Sequence, residues 1–243
     1  MYYLVILIHT GGKMNKKGFT LAEILITLGI ISIVAAMTLP SVINNNKSNV
    51  FHTSLQAAYT ILQEGLTKMS ADYGYTITSS NFEHRLNGEF YNVYKTYYKK
   101  IYDCSVFKPN ESVCMTRNNK NEAGLNTDPS YKTFSRNEIK TSIFDDGQFV
   151  LPNGMLIMFE DTGYSTIYIS VDINGKRQKP NRWGHDLFTF QVMHDGKLLP
   201  MGAEGTEYDS TDFCSTTSSN SINGIGCTYR ALTDKNYFKN LPK

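Results

Sequence analysis

An uninterrupted apolar stretch over residues 19–39 constrains this chain more than any other feature. Between positions 18 and 46 the only charged residue is Glu23. A helix of this length extends about 30 Å, which is the thickness of the hydrocarbon core of one bilayer. We therefore predict a single transmembrane helix over residues 19–40.

The cations that flank this stretch predict its orientation. Lys16 and Lys17 stand directly before it, and Lys47 is the first cation after it. The positive-inside rule then keeps the N-terminus in the cytoplasm. Residues 41–243 are predicted to form a head domain outside the cytoplasm.

A secretory signal peptide is the alternative, because it also combines a positive flank, an apolar core and small residues such as Ala35 and Ala36. Two observations favour a permanent anchor. The apolar stretch is longer than the roughly 7 to 15 residues of a signal peptide core. Glu23 also places a carboxylate inside it, and a charge at the bilayer centre costs about 2.5–3.5 kcal/mol on insertion scales. A group that is this costly to insert indicates a function.

Residues 16–23 read Lys-Lys-Gly-Phe-Thr-Leu-Ala-Glu and closely resemble the N-terminal processing motif of type IV pilins and type II secretion pseudopilins. The resemblance implies that a prepilin peptidase cuts after Gly18 and methylates the new N-terminus at Phe19. It also implies that Glu23 is the carboxylate used for assembly with other pilin or pseudopilin subunits. The expected location is the inner membrane, with the head outside the cytoplasm or at the cell surface in a pilus.

Residues 1–18 are predicted to be the leader peptide. Leaders of the family are commonly short and hydrophilic, whereas residues 1–8 are apolar. Translation from Met14 gives a short hydrophilic leader that ends at Gly18. We expect residues 1–13 to lie outside the working protein because the start was assigned too early.

Two amphipathic patterns predict helices in the head. Apolar residues recur every three or four positions over residues 48–73, as on one face of a helix. A second such stripe predicts a helix over residues 82–102. Pro40 is expected to kink the first helix without ending it.

From residue 147 the apolar period changes to two, which is typical of strands. The turn Pro152-Asn153-Gly154 separates two short strand patterns, and further strands follow up to position 202. The sequence therefore predicts an antiparallel sheet over residues 147–202. The predicted fold class is α+β, with a long N-terminal helix packed on an antiparallel sheet as in the pilin family.

The four cysteines predict two disulfides, because the head is expected in an oxidising compartment. Among three connectivities, Cys104–Cys114 and Cys214–Cys227 close the shortest loops and are preferred. Zinc binding by four cysteines would need closely spaced pairs, which these are not.

The sequence shows no catalytic constellation, since its five histidines are scattered and no nucleophile or phosphate-binding motif is present. We predict that the protein is not an enzyme. The net charge of +2 gives no broad basic face for nucleic acid. Tyrosines and lysines alternate over residues 94–100 and resemble a small single-strand patch, but a solvated helix face is favoured.

An acidic cluster is the one candidate metal site in the sequence. Asp172, Asn174 and Asp186 supply hard oxygen ligands near the Gly175 turn, as calcium requires, and some pseudopilins hold calcium in a C-terminal loop. Asp172 and Asn174 equally suit a turn in which they bond local backbone amides. The turn is favoured over the cation site, and no other cofactor is predicted.

These patterns predict a structural subunit of a type IV pilus or a type II secretion pseudopilus. A minor pilin for adhesion or DNA uptake is the alternative within the same class. A membrane-anchored enzyme or binding module with a pilin-type anchor is the alternative from another class.

Overall fold

A computed structural model describes residues 19–82, 89–106, 112–116, 119–120, 124–162 and 166–242. The predicted leader, with Met14 and Gly18, lies outside the described residues. The chain divides into two compact units, Met1–Asn44 and Asn45–Lys243.

The described residues contain three α-helices and eight strands. The helices are α1 (Leu21–Tyr73), α2 (Glu89–Tyr94) and α3 (Thr228–Thr233). The strands are β1 (Tyr102–Ser105), β2 (Asn119–Lys120), β3 (Asn126–Thr127), β4 (Gln148–Val150), β5 (Leu156–Asp161), β6 (Ile167–Asp172), β7 (Leu187–Val192) and β8 (Leu198–Pro200). Helix α1 contains the helix predicted over 48–73, and its helical assignment continues through position 40.

The first unit carries an apolar helical segment with exposed side chains. Among the described residues, only Leu21–Leu39 is long and apolar enough to cross a membrane, and none of this segment is buried within the protein. A surface of this kind is stable in lipid or against other apolar helices, not in water.

The second unit is built on an antiparallel sheet in the order β1-β4-β5-β6-β7-β8. Leu55, Leu62, Leu66 and Met69 of α1 are buried against one face. The alternating side chains of the strands, such as Ile169 of β6, supply the other side of this core.

The opposite face of the sheet is covered as well. Met158, Tyr168 and Leu187 pack there with Trp183 and Phe144 in a second core cluster. Because both faces are buried, nearly every residue of β4 to β7 is buried. The predicted fold class, an α+β pilin-like architecture with an N-terminal apolar helix and an antiparallel sheet, is confirmed.

The helix predicted over 82–102 requires correction. Residues 83–88 lie outside the described residues, α2 covers only Glu89–Tyr94, and a 3₁₀ turn follows at Lys95–Tyr97. The chain is extended at Tyr98, and Ile101 N donates to Val150 O at 3.0 Å, which brings the chain onto the sheet edge. Sheet pairing outweighs the helical stripe here, and Ile101 is 65% exposed.

Two tyrosines of this segment fasten it to α1 at Gly65. Tyr94 Oη donates to Leu62 O at 2.5 Å, and Tyr98 Oη donates to Ile61 O at 3.1 Å. A Cβ on Gly65 would lie 1.9 Å from Tyr98 Oη, so the close approach requires glycine. Tyr94 is fully buried, and its ring is therefore not available for stacking on a base.

Candidate functional site

The N-terminal end of α1 carries Phe19 and Glu23, two of the three residues of the predicted processing and assembly site. Phe19 is exposed, and Glu23 lies in the first turn of the helix. Gly18 lies outside the described residues. The predicted roles of these residues stay predictions.

Glu23 forms a capping box with Thr20. Its Oε2 accepts hydrogen bonds from Thr20 N at 2.8 Å and from Thr20 Oγ1 at 2.9 Å. In return, Glu23 N donates to Thr20 Oγ1 at 3.3 Å. The bonds satisfy two backbone donors that the start of a helix leaves without partners. Thr20 was missed in the sequence analysis, although Thr-x-x-Glu is itself the pattern of a capping box.

Around Glu23 the helix presents only apolar and small side chains to its surroundings. Ile24, Leu28 and Ile31 recur on one side of it, and each is exposed. Association of helices in a membrane depends on shape packing and on polar groups that find partners. This arrangement offers one acidic group at the edge of an otherwise apolar docking surface.

The structure pairs Cys104 with Cys114 and Cys214 with Cys227, which are the two pairs predicted from the sequence. Cys104 follows Asp103 in β1 and Cys227 precedes α3. Each disulfide thus fixes an irregular segment to a regular element.

The structure brings Asp172, Asn174 and Asp186 together. Asp172 ends β6 and pairs with Leu187 of β7, so the residue before Leu187 lies beside it. Both carboxylates are fully buried. Burial and the neighbouring Asp186 carboxylate raise the pKa of Asp172 to about 7, and burial raises the pKa of Asp186 to about 6.

Each of the four carboxylate oxygens of this pair accepts a hydrogen bond from a neutral donor. Asp172 accepts bonds from Tyr131 Oη at 2.6 Å and from Gly175 N at 2.8 Å. Asp186 accepts bonds from Asn181 N at 2.8 Å and from Arg182 N at 2.7 Å. The local backbone bonds expected of a turn are therefore present.

The side-chain amide of Asn174 is compatible with two arrangements. One end of it lies 2.7 Å from Asp172 Oδ1 and 3.1 Å from Asp186 Oδ2. If this end is NH₂, it donates to both carboxylates and completes the turn. If this end is Oδ1, then Nδ2 donates to Lys179 O at 3.3 Å. The side-chain oxygens of Asn174, Asp172 and Asp186 then face one another. Because the oxygen and the nitrogen of an amide are told apart by their hydrogen-bond partners, the two carboxylates favour the orientation in which the NH₂ group faces them.

A second acidic group was missed in the sequence analysis. Asp145, Asp146 and Glu160 place their carboxylate oxygens within 4.8 Å of one another. Burial and the charges of Asp146 and Asp145 raise the pKa of Glu160 to about 9. Asp145 and Asp146 are adjacent in sequence, and the pairing of β4 with β5 brings Glu160 to them.

Residues 13–39 match the family described as the prokaryotic N-terminal methylation motif. The comparisons with curated proteins and with solved structures find no significant match. The matched motif is the signature of type IV pilins and pseudopilins. Together with the fold, it supports a pilin-like or pseudopilin protein of structural type.

The motif implies processing by a prepilin peptidase and assembly with other pilins. The match covers residues 13–39 and no part of the head, so it bears on processing and not on what the head does. The apolar helix and the motif are consistent with a membrane-anchored protein that has an extracellular head.

Proposed function

We propose that this chain is a non-enzymatic structural subunit of a type IV pilus or a type II secretion pseudopilus, anchored in the inner membrane before assembly. The observation that carries the proposal is the methylation motif at residues 13–39, joined to a helix with an exposed apolar surface. In this function the helix mediates assembly, and the head forms the outer surface.

The first prediction is that the mature chain begins at Phe19 with a methylated amine. Cells with an active prepilin peptidase should yield the Phe19 peptide on mass spectrometry, and the protein should appear in the sheared filament fraction or in cross-linked pseudopilus assemblies. A peptidase-deficient strain is the control and should retain the leader.

Two other outcomes would contradict this proposal. An N-terminus at Met14 or a cut beyond Ala36 would exclude prepilin processing. A mature chain that stays a membrane monomer, and whose head retains an activity, would support an anchored enzyme or binding module. If the protein acts in adhesion or DNA uptake, the chain should still be found in filaments. Deletion of its gene should then remove only that activity.

We also propose that the head binds calcium through Asp172, Asn174 and Asp186. Two observations support it: two buried carboxylates meet, and Asn181 Oδ1 is buried without a hydrogen-bond partner. On binding, the Asn174 side chain would turn its oxygen toward the cation in place of the NH₂ group that otherwise donates to both carboxylates. Oxygen ligands of this kind suit calcium. A bound cation would offset the repulsion between the two carboxylates.

The second prediction is that calcium raises the midpoint of thermal unfolding of the full chain in detergent, because a ligand of the folded state stabilises it by mass action. Asp186→Asn should abolish this response, whereas Asp212→Asn, at an exposed carboxylate, should retain it. An unchanged midpoint at millimolar calcium would favour the local turn, in which Asn174 donates to both carboxylates.

A further inference from the structure

A groove of about 670 Å³ lies in the C-terminal part of the head, between the loop closed by Cys214–Cys227 and the last turns of the chain. This volume is in the range of small-molecule sites. One wall presents hydroxyl groups, which come from Ser210, Thr211, Ser215 and Thr216. All residues that line the groove belong to the second unit, and none of them belongs to α1.

One charged group of each sign also lines the groove. Arg230 and Asp234 stand one helical turn apart at the end of α3, and both are exposed. Asp234 Oδ1 accepts a bond from Asn236 N at 2.8 Å. Among the described residues, no carboxylate lies within ion-pair distance of Arg230, so its guanidinium is available to a ligand.

A buried arginine lies next to the groove. Arg182 is 7% exposed and donates to Pro242 O at 3.1 Å and to Phe134 O at 3.0 Å. Both acceptors belong to groove-lining residues. These carbonyls satisfy the guanidinium without neutralising it, and its field therefore reaches the groove.

His185 lies beside this cation. It is 8% exposed, its ring is 5.7 Å from that of Phe134, and its Nε2 has no hydrogen-bond partner. Arg182 Cζ lies 5.8 Å from the centre of the Phe134 ring. A buried positive charge therefore lies next to a residue that lines the groove.

We propose that this groove binds an acidic saccharide, with a ring carboxylate on Arg230 and ring hydroxyls on the hydroxyl wall and Asp234. A simple anion can bond Arg230 alone, whereas a saccharide also supplies hydroxyls that donate hydrogen bonds to Asp234. Apolar groups of Phe134, Leu241 and Pro242 line the remainder and suit the C–H faces of a sugar ring. The inference goes beyond the proposed assembly function and does not depend on it.

Isothermal titration calorimetry of the full chain in detergent micelles tests this site, with a trisaccharide of galacturonic acid as the probe. Saturable binding is expected, with about tenfold or greater weakening for the neutral galactose trisaccharide, because hydrogen bonds to charged groups are the stronger ones. Arg230→Ala should weaken uronate binding by a similar factor. Lys235→Ala removes a nearby exposed cation that does not line the groove, and it should bind normally.

Any of three results would overturn the proposal: no binding of the uronate, equal binding by Arg230→Ala, or inorganic phosphate competing as well as the saccharide. Unchanged thermal midpoints are expected for both variants because the two side chains are exposed. The unassembled chain is used, so a failure of the assembly proposal leaves this result interpretable.

Discussion

Replacing Glu23 with alanine is expected to reduce incorporation into filaments or pseudopili about a hundredfold or more, while processing and membrane insertion stay intact. Under the proposed processing, the mature chain would have a cationic amine at Phe19 and a carboxylate at Glu23, both beside the apolar surface of α1. When a second helix docks with an axial displacement, the carboxylate of one chain meets the amine of the other. Removing one partner of a buried charge pair costs about 3–5 kcal/mol, because the other charge stays unpaired.

The capping box refines this expectation. Thr20 already gives the Glu23 carboxylate two hydrogen bonds within one chain, at 2.8 and 2.9 Å. These bonds lower the energy of the carboxylate in the membrane monomer but supply no opposite charge. Insertion before assembly is therefore tolerated, and the pairing between chains remains favourable.

Two further variants separate charge from hydrogen bonding. Glu23→Gln keeps shape and hydrogen bonds without charge, and we expect it to assemble nearly as poorly as Glu23→Ala. Thr20→Val removes the hydroxyl and keeps the backbone amide, so its defect should be smaller. The readout is the ratio of sheared or cross-linked assemblies to membrane-bound monomer. Normal assembly of both Glu23 variants would refute charge pairing and leave the processing assignment intact.

The sequence predicted those helices and strands whose apolar residues all face one buried surface. The stripe through Leu55, Leu62 and Leu66 predicted the buried face of α1, because one helix face meets one sheet. The apolar helical segment was equally predictable from the uninterrupted apolar residues at 19–39, which suit lipid or other apolar helices. The period-two pattern located the sheet over 147–202, although β1 at Tyr102–Ser105 lies outside that range.

The helix predicted over 82–102 was wrong because contacts with residues distant in sequence decide the conformation of this segment. The stripe from Phe82 to Ile101 has helical spacing, but Tyr94 and Tyr98 bond carbonyls of α1 and Ile101 bonds the edge of β4. Such pairings depend on elements that are distant in sequence, and a local pattern does not contain them.

The candidate sites show the same division. Asp172 and Asp186 are as far apart in sequence as Asp146 and Glu160, and strand pairing brings each pair together. Only the first pair has a local turn pattern beside it, Asn174-Gly175, and it was predicted from that pattern. The capping box needed only a spacing of three residues. It was predictable, and it was overlooked because Glu23 was considered only for its role between chains.

The largest stability effect is expected from loss of the Cys214–Cys227 disulfide. In the chain-entropy description, a crosslink that closes a loop of about 15 residues contributes about 3 kcal/mol at 25 °C, and this one spans 13 positions. For a domain of this size, each kcal/mol shifts the thermal midpoint by about 2–4 °C. The double variant Cys214→Ala with Cys227→Ala should therefore unfold roughly 6–12 °C lower.

The matched comparison is the double variant Cys104→Ala with Cys114→Ala. Its crosslink spans 10 positions, and its removal should lower the free energy of unfolding by a comparable amount. The two variants differ in the hydrogen bonds that hold the loop besides the disulfide. Asn223 accepts a bond from Ser215 N at 3.0 Å and donates to Ser215 O at 2.8 Å, so it ties the C-terminal loop together without the disulfide. These bonds should preserve the fold of the loop at low temperature in the reduced state.

Calorimetry of the wild-type chain with and without reductant completes this test. Reductant should lower the wild-type midpoint by about the combined effect of the two double variants, and it should have no effect on a chain that lacks all four cysteines. A wild-type midpoint that is insensitive to reductant, or a Cys214/Cys227 double variant that melts with the wild type, would contradict the stabilising role. A disulfide stabilises a protein mainly by reducing the conformational entropy of the unfolded chain. The expected result therefore requires that both disulfides restrict the unfolded chain.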